Sequence, residues 1–141
     1  HHYHPKHKML HNNSHKFESS FVGLHIPENN SVMFGSLSGS KLGIWVAHGE
    51  GKFDFPYAED AYNVIAKYEY EGYPANPNGS MYNVAGVCSK DGRHLAMMPH
   101  LERAIFPWQW AYYPEGRKAN DEITPWLEAF VNARKWIENC K

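Results

Sequence analysis

Val84-Ala85-Gly86-Val87-Cys88 and His94-Leu95-Ala96-Met97-Met98 are two apolar runs joined through Lys90-Asp91-Gly92. Asp-Gly between apolar runs is the strongest short signal for a β-hairpin, because the tight turn needs residues that tolerate positive φ. Pro99 stops the second strand, since it has no N–H to give to a ladder, and His100-Leu101-Glu102-Arg103 follows at once. In extended chain, residues i and i+2 point the same way, so His100 and Glu102 can lie on one side. A carboxylate that holds one imidazole nitrogen leaves the other for a substrate or nucleophile, which is the base and orienter of a catalytic triad. Spacing alone does not separate this from a surface histidine beside a solvated acid. His48 and Glu50, in His48-Gly49-Glu50-Gly51, form a second pair of the same spacing and compete for the role.

Working outward, Phe17 to Leu24 alternates in strand fashion and runs into Ile26, and Pro27-Glu28-Asn29-Asn30 is turn chemistry. Leu42 to Ala47 is an apolar run of strand length. Ala58 to Tyr70, with Ala61, Val64, Ile65 and Tyr68 on one face, predicts a helix. Tyr73-Pro74-Ala75-Asn76-Pro77-Asn78-Gly79-Ser80 holds two Pro, two Asn and a Gly, so it predicts an ordered loop. Residues 104 to 123 are Trp-rich and irregular. Trp108, Trp110, Tyr112 and Tyr113 lack interleaved basic residues, which favours packing over base stacking. A last helix is expected from Thr124 as N-cap and Pro125 at the first position, burying Trp126, Phe130, Ala133 and Ile137.

The 141 residues suffice for one compact domain, and 43% hydrophobic with 21% charged residues is an ordinary globular balance. A formal net charge of -1 points to no nucleic acid partner. No apolar run is long enough to span a membrane. Six of the ten histidines fall in residues 1 to 15, but irregular spacing without Cys or a nearby carboxylate argues against a defined metal site. Two distant cysteines, Cys88 and Cys140, fit a reducing cytoplasm.

Beyond these local readings, several motifs together resemble one family. His100-Leu101-Glu102-Arg103 after Met97-Met98-Pro99 resembles the end of the glutaminase domain in large phosphoribosylformylglycinamidine synthases, which reads Met-Pro-His-Pro-Glu-Arg. Asn13-Ser14-His15-Lys16-Phe17-Glu18 resembles that family's Asn-x-Ser-x-x-Phe-Glu stretch, and His48 to Gly51 its His-Gly-Glu-Gly loop. Tyr73 to Ser80 matches its Pro/Asn loop at every position, and Asn132-Ala133-Arg134 resembles its closing helix. The matches keep the family's order over roughly residues 11 to 136.

The resemblance implies an α/β fold: the C-terminal part of a class I glutamine amidotransferase domain, flavodoxin-like and three-layered α/β/α, with an added β-hairpin. Residues 1–141 would be part of one such domain, with His100 and Glu102 as the histidine and glutamate of a Cys-His-Glu triad. Glutamine would be the substrate, with the upstream half of the domain and a synthetase domain as partners. Cofactors, ATP and Mg, would belong to that synthetase domain and not to this chain. The family's nucleophile sits on a Gly-x-Cys-x-Gly turn, which this sequence lacks. Cys88 lies in an apolar strand and Cys140 next to the C-terminus, so the chain alone is expected to be inactive. Leu101 replaces the family's Pro, and Ser20 stands where many relatives carry Arg. His48 and Glu50 would then lie in a loop near the pocket. A silent interaction module that kept the amidotransferase shape is the alternative reading.

Overall fold

A computed structural model describes residues 8–118 and 120–140. The strands, in chain order, are β1 (Lys8–Leu10), β2 (Glu18–His25), β3 (Lys41–His48), β4 (Lys52–Asp54), β5 (Asn63–Tyr68), β6 (Val84–Cys88) and β7 (Leu95–Met97). Two helices follow, α1 (Glu115–Lys118) and α2 (Leu127–Asn139). Five strands form an antiparallel sheet of order β3-β2-β5-β6-β7, and β1 pairs with β4 apart from it.

β2 and β3 are in register along their whole length, from Glu18 opposite His48 to His25 opposite Lys41. Alternation does the rest: Val22, Leu24, Ile44 and Val46 turn to one face and are buried. The hairpin of β6 and β7 forms as its Asp-Gly turn requires, with Cys88 opposite Leu95 and Gly86 opposite Met97. Asp91 Oδ1 accepts from the backbone N–H of Arg93 at 3.1 Å, and Gly92 takes φ +78°.

The helix expected over residues 58–70 is not there. A 3-10 turn at Glu59–Ala61 leads into β5, which pairs with β2 on one side and β6 on the other. The cause of the misreading is visible in the register, which shifts between Val64, Ala66 and Lys67. This bulge buries the consecutive residues Ile65 and Ala66, and Val64 packs into a second cluster with Phe53, Phe55, Val84 and Val87. Breaking the two-residue period in this way leaves apolar positions spaced as on a helix. β-Branched Val64 and Ile65, with Tyr68, are at home in a central strand.

α2 begins later than its sequence foretells: Trp126 is its N-cap, without a side-chain capping bond, and Thr124 and Pro125 form the turn before it, their carbonyls accepting from the N–H groups of Leu127 and Glu128. Its buried face is different. Trp126 and Ala129 are fully buried against the main core, whereas Phe130 and Ile137 are exposed. Trp126 Nε1 donates to the carbonyl of Gly43 at 2.8 Å, and Asn132 Nδ2 donates to Met33 O at 3.0 Å. These two tethers set the helix rotation, and periodicity alone does not record them.

The segment after β7 is what places the site. His100 N–H donates to Trp45 O at 2.9 Å, an antiparallel bridge to β3. β7 and β3 are the two ends of the sheet order, so this segment joins one edge to the other.

Candidate functional site

Pro99 and Leu101 are buried on either side of His100, and Leu101 belongs to the main core. With its neighbours anchored and its N–H bonded to Trp45, the His100 backbone is extended, at φ -104°, ψ 100°. Leu101–Arg103 then form a 3-10 turn, which carries Glu102 back beside the ring. His100 Nδ1 and Glu102 Oε1 stand 2.6 Å apart. An ionised carboxylate only accepts, so Nδ1 carries the proton and Nε2 is left with its lone pair. Burial alone would raise the Glu102 pKa. The hydrogen bond from His100, aided by Glu102's own backbone N–H and the charges of His100 and Arg103, outweighs this and holds it below the usual carboxylate range. The His100 side chain is 29% exposed, enough for a reacting group to reach it.

The competing pair is split by the fold. Glu50 is exposed and lies 3.5 Å from His11 Nε2. His48 is buried at 4% exposure, and neither ring nitrogen meets a hydrogen-bond partner among the described residues. Burial pushes the His48 pKa down, its own backbone pulls up, nearby His100 adds to the lowering and Glu18 opposes it. The glycine beyond Glu50 makes room for this ring: a Cβ on Gly51 would stand 2.5 Å from His48 Nδ1. The close approach that a glycine permits is thus made to the histidine of the same loop.

Behind that loop lies a polar network that sequence reasoning missed. Asn12 is fully buried, with Nδ2 donating to His48 O at 2.7 Å and to Lys16 O at 3.0 Å, while Oδ1 accepts from Gly51 N–H at 3.1 Å. Asn78, also fully buried, donates to Gly51 O at 2.6 Å and Tyr68 Oη at 3.2 Å, and accepts from Ser80 Oγ at 2.7 Å. The two loops that carry much of the family resemblance therefore meet as one hydrogen-bonded unit. Buried amides need such partners, and satisfied ones rigidify what they hold. The available signal was the unusual density of Asn at positions 12, 13, 76 and 78.

The cysteines stand apart from His100. Cys88 Sγ contacts Ser89 O at 3.2 Å and Asn63 Nδ2 at 3.5 Å on β6. Burial pushes its thiol pKa up and the charge of Asp91 adds to this, against a hydrogen bond from Ser31. Cys140 is free and exposed. Among the described residues no three His, Cys, Asp or Glu side chains are grouped to hold a metal, and His1, His2, His4 and His7 lie outside those residues. No described helix is long and apolar enough to cross a membrane.

Residues 2–137 match the family described as the CobB/CobQ-like glutamine amidotransferase domain. The chain belongs to that family. The amidotransferase domain is similar to an Arabidopsis thaliana protein named as a probable chloroplastic/mitochondrial phosphoribosylformylglycinamidine synthase. The two are 41% identical over 153 residues, covering 94% of this chain and 10% of that protein. The Homo sapiens phosphoribosylformylglycinamidine synthase is 41% identical over 142 residues, with 91% and 10% covered. The chain thus spans about a tenth of the length of these curated relatives. The solved PurLQS structure from Thermotoga maritima superposes with a TM-score of 0.69 at 26% identity, covering 94% of this chain and 53% of that one. The α/β amidotransferase fold is shared across that likeness, and within it the described sheet pairs are antiparallel.

Among the open clefts of the amidotransferase domain, one contains Trp45, the bridge partner of His100, and another lies at the Pro/Asn loop. One, of about 300 Å³, is lined by Ser19, Trp45, Val46, Arg103, Trp108 and Gln109. The other, of about 380 Å³, lies where Asn13 and Ser14 meet the Gly72–Gly79 loop. The Trp-rich segment only partly packs: Tyr113 is buried and Trp110 rests on Phe21, but Trp108 and Tyr112 are more than 70% exposed, at 72% and 74%.

Proposed function

We propose that this chain supplies the histidine and glutamate of a glutamine-hydrolysing site in a phosphoribosylformylglycinamidine synthase. The ammonia released would serve ATP-dependent conversion of formylglycinamide ribonucleotide to its amidine in purine biosynthesis. The observation that carries the reading is the His100–Glu102 contact at 2.6 Å on a partly exposed ring, which leaves Nε2 free. A thiolate attacks the carboxamide carbon of glutamine, and the protonated imidazole of His100 gives its proton to the departing nitrogen as the C–N bond breaks. Ammonia leaves and a glutamyl thioester remains. Water then attacks it, His100 takes the water's proton, and glutamate and the thiolate are released. Glu102 keeps the ring in one tautomer throughout.

The sulfur in this reading comes from chain outside the 141 residues, and the chain by itself is inactive. Cys88 is engaged on β6 with a raised pKa, and Cys140 follows α2. The chain is accordingly one part of a single amidotransferase domain whose nucleophile-bearing part lies elsewhere. ATP and Mg act at the synthetase domain of the whole enzyme, and the free cysteines suit a reducing compartment.

The test uses the intact synthase. His100→Ala is expected to lower glutamine-dependent turnover by at least about 10³-fold while synthesis from added ammonia continues. Labelling with a glutamine-analogue electrophile is expected on a cysteine outside these residues. Unchanged glutamine turnover in His100→Ala, or an unlabelled protein, would leave a silent module of amidotransferase shape as the correct reading.

A further inference from the structure

We propose that the cleft of Ser19, Trp45, Val46, Arg103, Trp108 and Gln109 seats the amino-acid end of glutamine, with Arg103 holding its α-carboxylate. This rests on the glutaminase reading and adds to it a substrate anchor.

The geometry follows from two local facts. Trp45 and His100 are directly opposed in an antiparallel bridge, so their side chains project to the same side, and Trp45 lines the cleft. Arg103 N–H donates to His100 O at 3.3 Å, the i to i+3 bond of the 3-10 turn. One short turn thus separates Arg103, which lines the cleft, from His100, whose opposite residue Trp45 lines it too. In extended glutamine the carboxamide carbon and the carboxylate carbon are about 5 Å apart across carbon–carbon bonds of about 1.5 Å. A carboxamide at Nε2 of His100 puts the carboxylate within reach of the guanidinium.

The chemistry of the walls agrees. Arg103 is the only charged residue lining the cleft, it is exposed, and it has no ion-pair partner among the described residues. A planar guanidinium suits a carboxylate by paired hydrogen bonds. Trp45 and Trp108 provide flat apolar walls for the methylenes. Trp45 is fixed by donating Nε1–H to Gln109 O at 2.6 Å, so the cleft has one rigid side. A volume of about 300 Å³ accommodates one amino acid with room for water.

In the intact synthase, Arg103→Met is expected to raise KM for glutamine about 10- to 100-fold, the value of a charge-assisted hydrogen bond, with little change in kcat. Arg103→Lys should recover part of the loss. The acid limb of the pH profile should move up only slightly, because the charge of Arg103 is the least of the causes that hold Glu102 low, and 4-aminobutanamide, which is glutamine without its carboxylate, should be used equally poorly by wild type and Arg103→Met. A KM within twofold of wild type overturns the anchor. So does an equal KM penalty with 4-aminobutanamide, or a fall in kcat with a strongly shifted acid limb, which would mean that Arg103 acts through Glu102. His100→Ala separates the two levels: if it destroys glutamine turnover and Arg103→Met does nothing, the glutaminase reading stands and the anchor falls.

Discussion

Replacing His48 by phenylalanine should stabilise the domain. The ring is buried and both nitrogens lack partners, and each unsatisfied polar atom costs about 1–3 kcal/mol of desolvation. Phenyl has nearly the same shape, so its fit over Gly51 changes little, and removal of both nitrogens should return about 1–3 kcal/mol after modest repacking losses. The gain should also depend on pH in a defined direction. The folded pKa of His48 lies below its ordinary 6.5, so above that value neither state binds the proton and the titration contributes nothing. As pH falls below 6.5 the unfolded chain takes up a proton that the folded chain refuses, and wild type loses stability. The advantage of His48→Phe should therefore grow below pH 6.5, by at most about 1.4 kcal/mol per pH unit. Urea unfolding of both proteins at pH 7.5, 6.5 and 5.5 (values about one unit apart, for the slope) measures this. A variant less stable than wild type at neutral pH would mean that the imidazole has a bonding partner. A gain that is flat with pH would mean that the ring is not held neutral.

Three further outcomes follow from Glu102 and Asn78. Glu102→Gln should lower glutaminase kcat by about 10²-fold in the intact enzyme, less than loss of His100, because an orienting group contributes less than the base it orients. Since the Glu102 carboxyl is held below its usual range, wild-type activity should persist through mildly acidic pH and fall only as the pH drops through that lowered value. Equal rates for variant and wild type would remove it from the mechanism. Asn78→Ala should cost about 2–4 kcal/mol in urea unfolding, because it strands the Tyr68 hydroxyl and the Ser80 N–H and leaves Gly51 O only the long bond from Ser80 Oγ, and a cost under about 0.5 kcal/mol would show that the two loops are held otherwise.

The parts of the fold that could be read from residues alone were those written in adjacent positions. Asp91-Gly92 between apolar runs specifies a hairpin, and Pro99 before His100 specifies where the ladder stops. The pairing of His100 with Glu102 was legible in their two-residue offset, but the 3-10 turn of Leu101–Arg103 that closes it was not. β5 was not legible, because its bulge buries Ile65 and Ala66 in succession and so imitates a helical face. Nor was the rotation of α2, which the Trp126 indole and Asn132 fix through carbonyls 83 and 99 positions away. The asparagines at 12 and 78 look like turn residues in sequence, and only the meeting of two distant loops makes them interior. The distinction between His48 and His100 is of the same kind, since each has an acid two residues on and burial alone separates them.

The bridge between Trp45 and His100 has a consequence for how this site can fail. Backbone pairing admits only whole-residue offsets, and each offset of one turns every following side chain to the other face. A slip of β3 against β2 would offer His100 the carbonyl of a neighbour of Trp45, Ile44 or Val46, whose side chain is buried in the core. The imidazole would then be carried across the sheet, with no intermediate, slightly misplaced position available to it. Proofreading of the reactive geometry is in this sense digital: it is inherited from strand register, and mutations far along the β2–β3 ribbon should abolish or spare it outright.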